Sequence, residues 1–318
     1  MFYSQTMART SYTEIDCKAA LNRVQGMPFR WSLNPYRGCV HGCHYCYARA
    51  SHTYYGLNAD DDFERRIFVK TNIVEVLRRE LGRPSWKGEQ VAIGTATDPY
   101  QPCEGRYRLT RGILEALRDR YNPLSIVTKS TLLVRDIDLL AEIAAVASVQ
   151  VFVTVTTLDR ELWRAIEPGT PPPNQRIKVV RQLTEAGIPA GVLMAPVLPG
   201  ITDAPESIEA VIAAAAEHGA MSCGTSALRL APLVKEHYLG FLKETFPDLV
   251  DRYERGYTGA HAPADYLRGL ERRIARIRSR HGFEDDAMSR PHPPKLAPPP
   301  GVPARCADGQ LRLPVLGG

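Results

Sequence analysis

Cys39-Val-His-Gly-Cys43-His-Tyr-Cys46 sets three cysteines in a Cys-x3-Cys-x2-Cys run, with an aromatic residue directly before the third. Three thiolates on one short loop can hold three irons of a four-iron, four-sulfur cluster. The fourth iron then has no protein ligand. An open iron can bind and reduce a second molecule, whereas a cluster closed by four cysteines only stores or passes electrons. Structural zinc is the alternative reading, since His41 and His44 could add ligands to a tetrahedral site. No second Cys-x2-Cys pair follows, however, and Cys17, Cys103, Cys223 and Cys306 are scattered singly. The odd count of 7 cysteines and the lack of a positive-then-apolar leader argue against a disulfide framework.

Outward from this loop the chain alternates strand and helix. The short apolar runs Val91–Ile93, Leu124–Val127, Val149–Val153, Ala190–Met194 and Ala227–Leu230 read as parallel strands buried on both faces. Between them, Thr71–Leu81, Thr110–Arg118, Asp136–Ala145, Pro172–Ala186 and Ser207–His218 carry apolar residues at helical spacing. Gly187 and Gly219 stand where C-cap glycines belong. With the strand expected before Cys39, about six β-α units form, which predicts a partial (β/α)6 TIM-like barrel of the α/β class. In such barrels the active site lies at the C-terminal strand ends. Thr95, Thr97, Asp98, Lys129, Ser130, Thr154, Thr156, Thr157 and Pro196 follow those ends, so they should face one mouth with the cysteine loop.

The chain of 318 residues divides into an N-terminal extension (1–31), the barrel (32–232), a C-terminal helical region (233–281) and a proline-rich tail (282–318). In the helical region Glu236–Phe246 and Ala264–Arg280 read as helices; the tail lacks periodic apolar content and reads as disordered. No apolar run is long enough to span a bilayer, and a cytoplasmic, reducing location follows. The net charge of +5 permits an anionic partner. Arg268, Arg272, Arg273, Arg276, Arg278 and Arg280 crowd one segment, either as a solvated helix face or as a nucleic-acid contact. No Gly-x4-Gly-Lys-[Ser/Thr] loop is present, which excludes a P-loop NTPase. A non-enzymatic iron–sulfur or zinc module stays open as the second class.

The stretch from Asn34 to Arg49 resembles the radical S-adenosylmethionine superfamily. Gly94-Thr-Ala-Thr-Asp-Pro-Tyr-Gln-Pro102, Thr128-Lys-Ser130 and Ala195-Pro-Val-Leu-Pro-Gly200 resemble its spore photoproduct lyase branch. The resemblance runs from about Ser32 to Ala231. It implies that Cys39, Cys43 and Cys46 ligate a [4Fe-4S] cluster whose open iron chelates S-adenosylmethionine. Reductive cleavage then gives methionine and a 5′-deoxyadenosyl radical that abstracts hydrogen from a substrate. The resemblance also implies a flavodoxin- or ferredoxin-like electron donor but says little about the substrate: the basic C-terminal segment favours nucleic acid, and a protein or small molecule stays open. The resemblance sets the cofactor against Tyr45, against the turn of Gly94, Thr95, Thr97 and Asp98, and against Lys129, Ser130, Thr154, Thr156, Met194 and Pro196, with a plain core role the equal alternative for Met194 and Pro196. Lys129 takes the methionine carboxylate in that scheme. Asp98 reads either as an acceptor for the ammonium or as a cap of the following helix. Cys103 reads as a hydrogen donor to a product radical or as a small hydrophobe.

Overall fold

A computed structural model describes residues 10–283. Among the described residues ten strands form in chain order: β1 (Ser11–Ile15), β2 (Leu21–Arg23), β3 (Trp31–Leu33), β4 (Tyr36–Arg37), β5 (Arg66–Lys70), β6 (Val91–Ile93), β7 (Leu124–Thr128), β8 (Val149–Thr154), β9 (Ala190–Val197) and β10 (Cys223–Ala227). The main sheet has the order β10-β9-β8-β7-β6-β3-β2. All neighbours from β3 to β10 pair in parallel, and β2 adds an antiparallel edge. This is the expected partial barrel. A small second sheet, β1-β5-β4, lies beside it and carries β4 into the cysteine loop.

Register assigns the two faces. Leu33, Ile93, Ile126 and Val151 stand side by side across β3, β6, β7 and β8, and Val153 pairs with Val192. All six belong to the main core, with Leu77, Leu114, Leu140, Val180 and Ile212 from the covering helices. The opposite, concave face carries Ser32, Ala92, Ser125 and Gln150 in register, then Phe152 beside Gly191. Small and polar side chains predominate there, while the convex face supplies the burial that stabilises the sheet, about 1.5–3 kcal/mol per large apolar side chain.

The helices form close to where the periodicity sets them: Ile73–Leu81, Leu109–Arg118, Ile137–Val146, Pro173–Glu185 and Pro205–Glu217. Gly187 and Gly219 both take positive φ just past their helices. The last strand differs from its expected position. It forms at Cys223–Ala227, and Leu228 and Leu230 instead bury themselves in a second apolar cluster. That cluster is built by helices Pro232–Thr245 and Val250–Gly256, through Tyr238, Phe241, Leu242 and Tyr253, and it reaches Cys43 and Tyr45. The C-terminal helices therefore wall the cysteine loop. The final helix, Ala264–Arg280, docks Leu270, Ile274 and Ile277 into the main core. Among the described residues no helix is long and apolar enough to cross a membrane. Apart from Gly282 and Phe283, the expected proline-rich tail lies outside the described residues.

Candidate active site

The cysteine loop is wound from successive tight turns. Gly42 N donates to Cys39 O, Cys46 N to Cys43 O and Arg49 N to Cys46 O, each at 3.2 Å. These turns leave several carbonyls pointing inward, and Arg49 satisfies them. Its guanidinium is fully buried and uses all its N–H groups. Nε donates to Cys43 O at 3.0 Å, one terminal nitrogen to Ala59 O and Asp60 O, and the other to Gly42 O and Glu64 Oε2. A buried cation with every donor paired costs little and fixes the loop. Cys39 and Cys43 are buried and Cys46 is half-buried. Burial pushes the Cys43 and Cys46 thiols up, so each stays protonated until a metal displaces the proton.

Under the loop lies a shelf, Ile166–Thr170, which sequence reasoning missed. His44 N donates to Ile166 O at 3.2 Å and Gly169 N to His41 O at 3.1 Å. A side chain at Gly169 would drive into Val40 O and approach His41 Cα to 2.9 Å, so only glycine fits. Glu167 is fully buried on this shelf. It accepts from Tyr45 OH and Thr156 Oγ1, and from Arg176 at 2.5 Å. Arg176 is equally buried and donates to Thr154 O at 2.8 Å. Burial alone would raise the Glu167 carboxyl, but Arg176 and Lys129 hold it down to about 2. The only sequence signal for this pair is one charged residue ahead of Pro168-Gly169 and another in an otherwise amphipathic helix.

The turn after β6 is bonded to the loop as well. Thr97 Oγ1 donates to Gly38 O at 2.5 Å, and Gln101 bridges Thr97 to Val40 N. Gly94 takes φ +88 where a side chain would strike Val127 O and Pro99. Thr95 Oγ1 lies 2.7 Å from Ser32 Oγ on the concave face. Asp98 accepts from Tyr100 N (2.9 Å), Thr128 Oγ1 (2.8 Å) and Lys129 N (2.7 Å), and His41 Nδ1 stands 3.3 Å from it. Its carboxylate is thus fully engaged within the protein. It does not cap the next helix, because the short helix Glu104–Tyr107 starts with no side-chain cap. Burial would raise the Asp98 carboxyl, yet His41 and these donors pull it below the ordinary value.

At the end of β7, Lys129 Nζ lies over the Tyr45 ring, 5.6 Å from its centroid. Burial would lower its pKa, but the ionised Glu167 carboxylate helps to raise it above the ordinary value, so the ammonium stays charged. Ser130 Oγ accepts from Leu132 N at 3.1 Å and shapes the turn. Thr154 and Thr156 share a strand face, with the Thr156 hydroxyl held by Tyr45 and Glu167. Pro196, half-buried after a cis Ala195–Pro196 bond, sits near the end of β9. Met194 does not join them. It follows Val192 on the convex face and packs in the main core, while Leu193, paired with Thr154, takes the concave side. Cys103 is also packed in the main core, and burial and Glu104 push its thiol up to about 12. That environment is the one of a small hydrophobe.

The residues fit a cluster better than a zinc ion. His41 is engaged by Asp98, and His44 stacks on Phe241 at 4.1 Å while facing His237. The loop offers three thiols, with the half-buried Lys129 beside it.

Comparison with known proteins identifies the family and the fold. A family model described as the radical SAM superfamily matches residues 33–212. An uncharacterized protein of Mycobacterium tuberculosis is 42% identical over 289 residues, which cover 90% of this chain and 84% of the relative. One of Methanocaldococcus jannaschii is 30% identical over 190 residues, covering 60% of this chain and 69% of its own. Among solved structures, spore photoproduct lyase with bound AdoMet and dinucleoside spore photoproduct has a TM-score of 0.62 at 16% identity, covering 86% of this chain and 79% of that one. Streptococcus suis SuiB has a TM-score of 0.51 at 14% identity, covering 88% of this chain and 49% of its own. At such identities the likeness is one of fold.

Proposed function

The chain belongs to the radical SAM superfamily, and we propose that it is an enzyme whose Cys39, Cys43 and Cys46 hold a [4Fe-4S] cluster for cleaving S-adenosylmethionine. When bound, the reduced cluster supplies the electron that splits the cofactor into methionine and a 5′-deoxyadenosyl radical. The observation that carries this reading is the Lys129 ammonium, held 5.6 Å from the centre of the Tyr45 ring at the edge of the cysteine loop. A charged lysine at a strand end, with its head facing a concave mouth, fits the cofactor carboxylate. Tyr45 is locked by Glu167 and Thr156 and forms a fixed wall beside that lysine. Small residues on the concave face, Ser32, Ala92 and Ser125, leave space for the substrate. Walls from Phe241 and the C-terminal helices keep water from the loop.

For the substrate we propose a nucleic acid. Arg268, Arg272 and Arg276 stand exposed in one stripe along the last helix, which supports a polyanionic partner. The dinucleoside bound by the similar lyase structure favours the same class. Electrons would come from a flavodoxin- or ferredoxin-like donor.

The test is anaerobic reconstitution with iron and sulfide, reduction, and detection of 5′-deoxyadenosine from S-adenosylmethionine. Turnover that vanishes in Cys43→Ala is expected. Stoichiometric zinc without turnover would instead favour a non-enzymatic module. For the substrate, oligonucleotides deuterated on their sugars and bases should pass label into 5′-deoxyadenosine. Turnover that proceeds with no label transfer from any of them would exclude the nucleic acid.

A further inference from the structure

Two fully buried charges lie under the cysteine loop without a part in the chemistry just described. Glu167 and Arg176 face each other at 2.5 Å. Arg176 also donates to Thr154 O at 2.8 Å, and its Nε is buried with no partner among the described residues. Lys129 stands close by over Tyr45, whose hydroxyl donates to Glu167. The Lys129 Nζ has no hydrogen bond to any described residue.

Three charges therefore share one small buried region, two positive and one negative. A buried carboxylate takes whichever cation reaches it with the best geometry. Arg176 has the advantage, because its planar fork grips Glu167 and the Thr154 carbonyl together and so is fixed by β8 itself. Lys129 is left as the unpaired cation. We infer that Arg176 is a positioning residue that neutralises Glu167, so that Lys129 stays free for the carboxylate of S-adenosylmethionine. This rests on the function proposed above. Without Arg176, Glu167 would draw Lys129 into its own ion pair, and an arriving carboxylate would meet a neutral or repelling pocket. The opposite pulls on Lys129 agree: Glu167 favours its charged form and Arg176 disfavours it. Tyr45 would keep its bond to Glu167 throughout, so the loop itself need not move.

The measurement is calorimetric binding of S-adenosylmethionine to the anaerobically reconstituted protein. In R176Q the affinity should fall by about tenfold or more. In R176Q/E167Q it should return to within about threefold of the unaltered protein, because the competitor for Lys129 is gone. A merely structural Arg176 predicts no such rescue. Unchanged affinity in R176Q overturns the inference, as does a double variant as weak as the single one. Should R176Q fail to fold, E167Q carries the test: Gln still accepts from Tyr45 and Thr156, so binding should be at least as tight as before. A tenfold loss there overturns the inference. If the unaltered protein binds no S-adenosylmethionine, the function reading fails too. If it binds and the double variant is not rescued, only the present inference fails.

Discussion

His41 Nδ1 stands 3.3 Å from Asp98 Oδ2, both side chains buried, so one carboxylate ties the cysteine loop to the ends of β6 and β7. The same carboxylate accepts the backbone N–H of Lys129. The loop and the candidate carboxylate-binding lysine are thereby held in one register by a single residue. Asp98→Asn puts a donor where acceptors are needed, and it should destabilise the protein by about 1–3 kcal/mol. Urea unfolding measures this. A change below about 0.5 kcal/mol would show that the contact carries little.

Arg49→Lys should uncouple the loop from its support. A single ammonium cannot reach Cys43 O, Gly42 O, Ala59 O, Asp60 O and Glu64 together, as the guanidinium does. Reconstituted protein should hold clearly less iron per chain, with a stability loss of about 3 kcal/mol from carbonyls left unpaired. Full iron content in this variant would separate Arg49 from loop geometry.

Gly169→Ala tests the shelf. The new methyl would collide with the Val40 carbonyl, a backbone atom that cannot rotate away. Either the shelf or the loop must shift, at about 1–3 kcal/mol by analogy with overpacked cores. Thermal unfolding with an unchanged midpoint would count against the close approach.

Glu167 predicts an acid-sensitive fold. Its native carboxyl is held at about 2, below its unfolded value, so its contribution to stability is present above the unfolded pKa and lost as pH falls toward about 2. Stability measured from pH 6 downward should decline more steeply in the unaltered protein than in E167Q. Parallel curves would mean that the carboxylate is not ionised in the fold.

Met194→Leu should be nearly silent. The side chain packs on the convex face, so a volume-conserving swap should cost less than about 1.5 kcal/mol and leave S-adenosylmethionine affinity unchanged. Weaker binding would return Met194 to the cofactor side.

Much of the fold was readable along the chain because apolar period is a local property. The helix Ala264–Arg280 forms between its expected limits, and β6 forms at Val91–Ile93. The last strand was not readable, since Cys223-Gly-Thr-Ser-Ala227 lacks the apolar run that Leu228 and Leu230 offer nearby. Those leucines are apolar for another reason: they cover the C-terminal cluster. For Met194 the sequence leaves core and cofactor roles equal, and only the register assigns it to the core. Side chains alternate along a strand, so a neighbouring residue, Leu193, faces the mouth in its place.

By itself the sequence determined the kind of chemistry, because three thiols within one loop and the strand-helix alternation are both short-range patterns. Only the tertiary structure decided which charges stand beside that loop. Glu167 and Arg176 lie far along the chain from Tyr45, and nothing local marks them as partners. Ion pairs and hydrogen bonds act through space, so burial under the loop made those residues part of the site.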